Sequence, residues 1–139
     1  MQQEIRVQRS RHKTPGIPSG AVYTGRPSQW GNPAKIGEWY KLPRESATLG
    51  TGSIFIADNR IAVAAFYEHC IDMAEKDPEA FRDWLLPLAG KNLCCWCSPE
   101  QVCHADILLY LANNILPILG KEEVRWPTLA DIIPWYSMV

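Results

Sequence analysis

The sequence predicts one small α/β domain in three layers, with a short, mainly parallel sheet flanked by helices. Three observations carry that prediction. Short β-prone runs at "EIRVQRS", "AVYTG" and "KNLCCWC" alternate with stretches of helical periodicity. The helical stretches carry recognisable caps and stops. The chain has 139 residues, 47% of them hydrophobic, enough for one core and too few for two domains. A single domain over 1–139 is therefore expected, with a motif-bearing core of about 22–114 and a tail at 115–139.

Taken in order, "EIRVQRS" alternates apolar and polar residues as a strand does, and "TPGIPSG" is a Pro- and Gly-rich loop. "AVYTG", Ala21 to Gly25, is a second strand that ends abruptly at "GRPSQWGNP". From Arg26 to about Asn59, glycines and prolines recur without period, so the segment reads as a long connection holding at most fragments of structure. Connections this long inside compact domains are uncommon unless functional, and this one is expected to cover or line something. Asp58 then caps a helix over "NRIAVAAFYEHCIDMAEK", whose Ile61, Ala65, Phe66, His69, Cys70 and Met73 fall at helical spacing.

A second helix follows Asp77, with Pro78 at its first position and Phe81, Trp84, Leu85 and Leu88 on one face. Pro87 predicts an early end or a kink, and Gly90 a stop. "KNLCCWC" leaves too little room for a helix before Pro99 and reads as a buried strand. A last helix is expected from about Cys103 to Asn114, bearing Ile107, Leu108, Leu111, Ala112 and Ile115. The proline- and aromatic-rich tail is expected to pack on the body.

Charge narrows the function. A formal net charge of −1 and a pI near 6.3 provide no global field for phosphate backbones, so a nucleic-acid partner is not favoured and would need a local patch. The one basic run, Arg6 to Lys13, reads as a solvated end or a nucleic-acid arm. No apolar stretch is long enough for a membrane span, and "MQQEIRVQRS" lacks the apolar core of a signal peptide, so a cytoplasmic protein is expected. There, clustered cysteines point to metal binding or catalysis rather than to disulfides.

"LCCWCSPEQVCH" holds four of the five cysteines and one of the three histidines. Strand alternation sends Cys95 and Cys97 one way, and Cys94 and Trp96 the other. Cys103 and His104 arrive at a helix start, where unpaired N–H groups favour a thiolate. Cys95, Cys97, Cys103 and His104 form a three-sulfur, one-nitrogen set of the kind zinc takes, although the spacing is not a standard one. Three readings stand: a zinc centre, a metal-free reactive or substrate-binding site with Cys97, Cys103 and His104 as catalytic groups, or cysteines that only fill the core. Cys70 and Cys94 read as core.

The second constellation is "VYTGRPSQWGNP". Gly25 permits a sharp exit from the strand, and Arg26 offers a planar fork for carboxylate or phosphate. Trp30 is expected to stack on a flat ring, Gly31 to admit a ligand close to backbone, and Asn32 to offer a donor and an acceptor. The alternative is a turn with an aromatic plug. If the two strands are parallel neighbours, both segments leave at the carboxyl edge, where open α/β sheets bind ligands. His69 reads as a core histidine, His12 lies in the basic run and could bend back to the site, and Asp106 is expected to cap its helix rather than orient the imidazole.

Together these segments, "GRPSQWGNP" (25–33) and "GKNLCCWCSPEQVCHADIL" (90–108), resemble an uncharacterised family of bacteria and phages with a GRPS-x-WGNP-like motif and a GK-x-L-x-CWC…CH motif. The likeness covers about Val22 to Asn113, and it places the protein in a bacterial or phage-infected cell. The second segment also looks like the strand–Cys–turn–CH–helix ending of another group of small α/β proteins. Cys94 and the long stretch between Gly37 and Asn59 depart from the pattern.

An arginine beside an aromatic ring suits a nucleotide, nucleoside or nucleobase. The expected function is an enzyme that hydrolyses such a small molecule or transfers a group from it. A zinc-stabilised module that binds nucleic acid, nucleotide or protein without catalysis is the alternative, and a protein that sequesters a nucleotide is a third reading.

Overall fold

The computed structural model describes residues 4–10, 16–121 and 123–136. The expectation for His12, and for the end of the basic run around it, lies outside the described residues. Three strands, β1 (Arg6–Gln8), β2 (Ala21–Tyr23) and β5 (Asn92–Cys95), form a fully parallel sheet in the order β1-β5-β2. Register pairs Arg6 with Leu93 and Gln8 with Cys95 on one side, and Val22 with Leu93 on the other. The α/β class expected from the sequence is the observed one: a mixed domain of a parallel sheet and helices.

The segment read as a long connection contains a second sheet, an antiparallel pair of β3 (Trp39–Lys41) and β4 (Ser53–Phe55). Each strand has only three residues. Alternation is too short there to stand out from loop sequence. Tyr40 and Ile54 turn inward onto a small cluster of Ala34, Ile56, Ala62 and Ala65, which fastens the hairpin to α1 (Asn59–Lys76). Arg44 adds an ion pair to Glu75 of α1, Nη1 to Oε1 at 3.1 Å.

Helix α1 begins where the sequence predicts, with the Asp58 carboxylate accepting the Ile61 N–H at 2.9 Å. Ala62 through Tyr67 are all buried, so this half of the helix lies inside the protein on every side. Asp77 serves two helices. Its N–H closes the last turn of α1 on the Met73 carbonyl, and its side chain accepts the Ala80 N–H at the start of α2 (Pro78–Leu85). Pro87 ends α2 in a 3-10 turn over Leu86–Leu88, and Gly90 takes the left-handed conformation, φ +72°, that leads into β5.

Helix α3 (His104–Tyr110) packs on β5 and β1 and against α1. The sequence predicts one helix to Asn114, but a π turn takes over at Leu111–Ile115. The Asn113 and Asn114 side-chain amides donate to the Leu109 and Tyr110 carbonyls, competing with the backbone for its usual acceptors. The main core lies between the helices and the sheet face carrying Leu93 and Cys95. Beyond α3, Tyr136 donates to the Arg60 carbonyl, and a short helix α4 (Leu129–Ile132) starts in a capping box at Thr128. No helix among the described residues is long and apolar enough to cross a membrane.

A three-cysteine centre at the carboxyl edge

Because β2 and β5 are parallel neighbours, Thr24 to Arg26 and Trp96 to Cys97 leave the sheet at the same edge. Cys103 sits at the N-cap of α3, and its backbone N–H donates to Asp106 Oδ2 at 3.1 Å, so Asp106 caps this helix. The Sγ atoms of Cys95, Cys97 and Cys103 all lie within 4.8 Å of one another. Cys95 and Cys103 are buried, and Cys97 is partly open.

Arg6 organises this cluster, although in the sequence it is one cation of a run that reads as a solvated end or a nucleic-acid arm. Its side chain is only 7% exposed and pairs through Nε with Asp106 Oδ1 at 2.9 Å. Nη1 reaches Cys95 Sγ at 3.7 Å and the carbonyls of Cys97 and Ser98, while Nη2 takes those of Pro99 and Gln101 at 3.2 and 2.8 Å. The whole turn between β5 and α3 therefore closes around one guanidinium. In the sheet Arg6 pairs with Leu93, and so shares a face with Cys95.

The charges follow from these contacts. Hydrogen bonds from Cys103 and Cys97, reinforced by Arg6, hold the Cys95 thiol far below its usual range despite burial. Donation to Cys95 and Cys97, with burial, drives the Cys103 thiol up. The Cys103 contact favours a thiolate at Cys97, but donation to Cys95 and burial outweigh it, and Cys97 also moves up.

His104 starts α3 and lines the same pocket as Cys95 and Cys97. Its Nε2 lies 2.8 Å from the Thr24 carbonyl, which can only accept, so Nε2 carries the proton and Nδ1 keeps its lone pair. Nδ1 lies 3.7 Å from Cys103 Sγ, and the Phe66 ring meets the imidazole edge-on at 5.0 Å. Burial lowers its pKa against the pull of the Thr24 carbonyl, so the ring is neutral at pH 7. Among the described residues, the compact group that could hold a metal is the three sulfurs, with His104 beside it rather than in it. Three sulfurs this close could together hold a soft metal ion.

A pocket of about 210 Å³ opens over this centre, and Cys95, Cys97 and His104 line it together with Arg26, Asn32 and Asn59. Of the expected recognition residues, Arg26 is exposed and stands at its wall. Two others need correction. Trp30 is 9% exposed and belongs to the main core; its indole N–H donates to the Trp84 carbonyl at 2.8 Å, so it is the aromatic plug and not a stacking platform. Asn32 lines the pocket, but its amide is committed: Nδ2 donates to the Ala62 carbonyl and Oδ1 accepts the Ala34 N–H.

Gly31 also has a different use. A Cβ there would stand 2.8 Å from Arg26 Cγ and 3.1 Å from Arg26 Cα, so the glycine makes room for Arg26 itself. The aromatic ring at the pocket is Trp96, whose far neighbour is Arg9, stacked at 4.7 Å from both the Trp96 and Tyr23 rings. Ile36 and Ala34, from the connection before β3, complete a wall. Asn59, at the start of α1, donates to the Val102 carbonyl and ties that wall to the cysteine turn.

Fold and site together define a small α/β protein with a three-thiol centre at the carboxyl edge of a parallel sheet. The sequence matches DUF4326, a domain of unknown function, over residues 7–114, and the chain belongs to that family. Comparisons with curated proteins and with solved structures gave no match.

Proposed function

We propose that the chain is a small cytoplasmic enzyme that uses zinc, held by Cys95, Cys97 and Cys103, to hydrolyse a nucleotide-like molecule or transfer a group from it. The observation that carries this reading is the position of the sulfur cluster, in the wall of an open pocket that Arg26 also lines. The Arg26 carbonyl accepts the Tyr23 hydroxyl at 2.7 Å, while its guanidinium has no hydrogen-bonding or ion-pairing partner among the described residues. Structural zinc sites close all four positions with protein ligands, whereas catalytic ones leave one for water or substrate. Zinc bound there supplies a Lewis acid and an activated water.

The chain's own residues do the rest. Arg26 holds a phosphate or carboxylate with two parallel hydrogen bonds. His104, neutral and fixed through Nε2, turns its Nδ1 lone pair toward Cys103 Sγ, where it can accept a proton. Arg6 offsets the negative charge of the thiolates and keeps their turn in place. The pocket, at about 210 Å³, is smaller than the ~300–1,000 Å³ usual for drug-sized ligands, which suits the reacting end of a nucleotide better than the whole molecule.

Elemental analysis of protein purified without a metal-affinity tag tests the centre. One zinc per chain is expected, lost on Cys95→Ser or Cys97→Ser. A screen of nucleotides and nucleosides for turnover then tests the chemistry, with Arg26→Met expected to raise KM more than it lowers kcat. A chain without zinc and without turnover refutes the proposal.

A second reading, a non-catalytic binding module stiffened by the metal, draws on the burial of Cys103 and the Arg6 clamp. In that case Cys103→Ser unfolds the protein as metal is lost, because binding energy is folding energy. In the enzyme, the same variant stays folded without turnover.

A further inference from the structure

We propose that Cys95 and Cys103 are a modification site, a dithiol that hydroperoxides oxidise reversibly to a disulfide. It regulates the centre described above, yet it stands on sulfur geometry and holds whether or not a metal is bound. The two Sγ atoms are 3.0 Å apart. A disulfide needs about 2.05 Å. Two thiolates on a tetrahedral zinc with bonds of about 2.3 Å stand roughly 3.8 Å apart. The pair rests between the two arrangements, and a movement of about 1 Å either way selects one of them.

Access to the two sulfurs is unequal, which assigns their roles. Cys95 lines the pocket, whereas Cys103 is fully buried and does not. Cys97 lines the same pocket and is the more open, but of the close pair it is Cys95 that an oxidant in the pocket reaches, with Cys103 behind it. The Cys95 sulfur attacks one oxygen of hydrogen peroxide and the O–O bond breaks. The departing hydroxide takes a proton from solvent and leaves as water, and a sulfenic acid remains on Cys95. The Cys103 sulfur then attacks the Cys95 sulfur; the S–S bond forms, the S–O bond breaks, and the second hydroxide takes the Cys103 proton as water.

Two thiols and one peroxide thus become one disulfide and two waters, with sulfur oxidised and peroxide reduced. Arg6 keeps the turn closed through the Cys97, Ser98, Pro99 and Gln101 carbonyls, none of which takes part. Cys97 is left as a single thiol at the pocket. A metal that had three sulfur ligands retains one, and is released.

The test uses the full chain, reduced and then exposed to hydrogen peroxide near equimolar. Expected are a loss of two hydrogens in intact mass, a cross-linked peptide joining Cys95 to Cys103, and a fall in free thiols from five to three, all reversed by dithiothreitol. In protein that carries zinc, a chromophoric chelator should register release in step with the cross-link. Cys97→Ser should still form the link. Cys103→Ser should instead accumulate a sulfenic acid on Cys95 that dimedone traps.

A link from Cys95 to Cys97, a link between chains, or five intact thiols under peroxide that oxidises free glutathione overturns the inference. Zinc without the link leaves the metal reading standing and removes this one. The link in protein that never carries metal does the reverse.

Discussion

Replacing Arg6 by methionine removes the guanidinium while keeping much of the side chain's length. The loss comprises the ion pair with Asp106 at 2.9 Å and contacts to four carbonyls of the 97–101 turn. Hydrogen bonds to charged groups contribute about 1.5–3 kcal/mol each but do not add, and breaking a buried ion pair from one side costs about 3–5 kcal/mol. Asp106 is itself largely enclosed, with a pKa that burial raises against the opposing pull of Arg6, so its carboxylate is left poorly solvated. The expected loss is about 3–5 kcal/mol, a large part of the ~5–15 kcal/mol available to a domain, and roughly 10–17 °C in Tm. Urea unfolding followed by tryptophan fluorescence reads it directly. In addition, amide exchange at Ser98 and Gln101 should accelerate, and a second change, Asp106→Asn, should recover part of the loss by removing the orphaned charge. A loss under about 1 kcal/mol, the scale of an exposed charge, would show that Arg6 belongs to a solvated arm and that the clamp is not what shapes the cysteine turn.

Other outcomes follow from the same contacts. Trp30→Ala opens the main core and should cost about 3–5 kcal/mol in chemical denaturation, without the specific loss of ligand binding that an exposed stacking residue would give. Gly31→Ala pushes on Arg26 Cγ and should weaken anion binding in calorimetry while leaving the metal content unchanged. His104 and His69 both titrate below the usual 6.5, largely through burial, so the unfolded chain takes up protons first on acidification. Stability should therefore fall as pH is lowered through 6.5, and His104→Gln should flatten part of that slope in denaturant midpoints taken across the range.

Much of the framework was legible because its signals are local. Asp58, Asp77 and Pro78 mark helix ends by side-chain chemistry that acts within four residues, and the structure uses each of them so. Cys95, Cys97 and Cys103 lie close in the chain, and a strand, a turn and a helix start suffice to bring their sulfurs together. What sequence reasoning missed depends on contacts across the fold. Arg6 meets Asp106 at a separation of 100 residues, and nothing near Arg6 distinguishes it from the other cations of its run. Trp30 finds the Trp84 carbonyl 54 residues away, and Asn32 finds Ala62, so a segment composed like a ligand loop is in part a structural plug. The β3–β4 hairpin escaped because its strands are too brief to show a period.

The Arg6 clamp also bears on where this domain can be cut. The family match begins at residue 7, one position after the side chain that closes the cysteine turn, and ends at residue 114, before Tyr136 docks on Arg60. A fragment trimmed to the recognised boundaries would carry every cysteine of the motif and still lack the cation that gathers their loop. Expression of that fragment should yield a protein with the right motif residues and a loosened centre, because it lacks both Arg6 and the core side chains of Ile115, Leu116, Leu119, Ile133 and Tyr136.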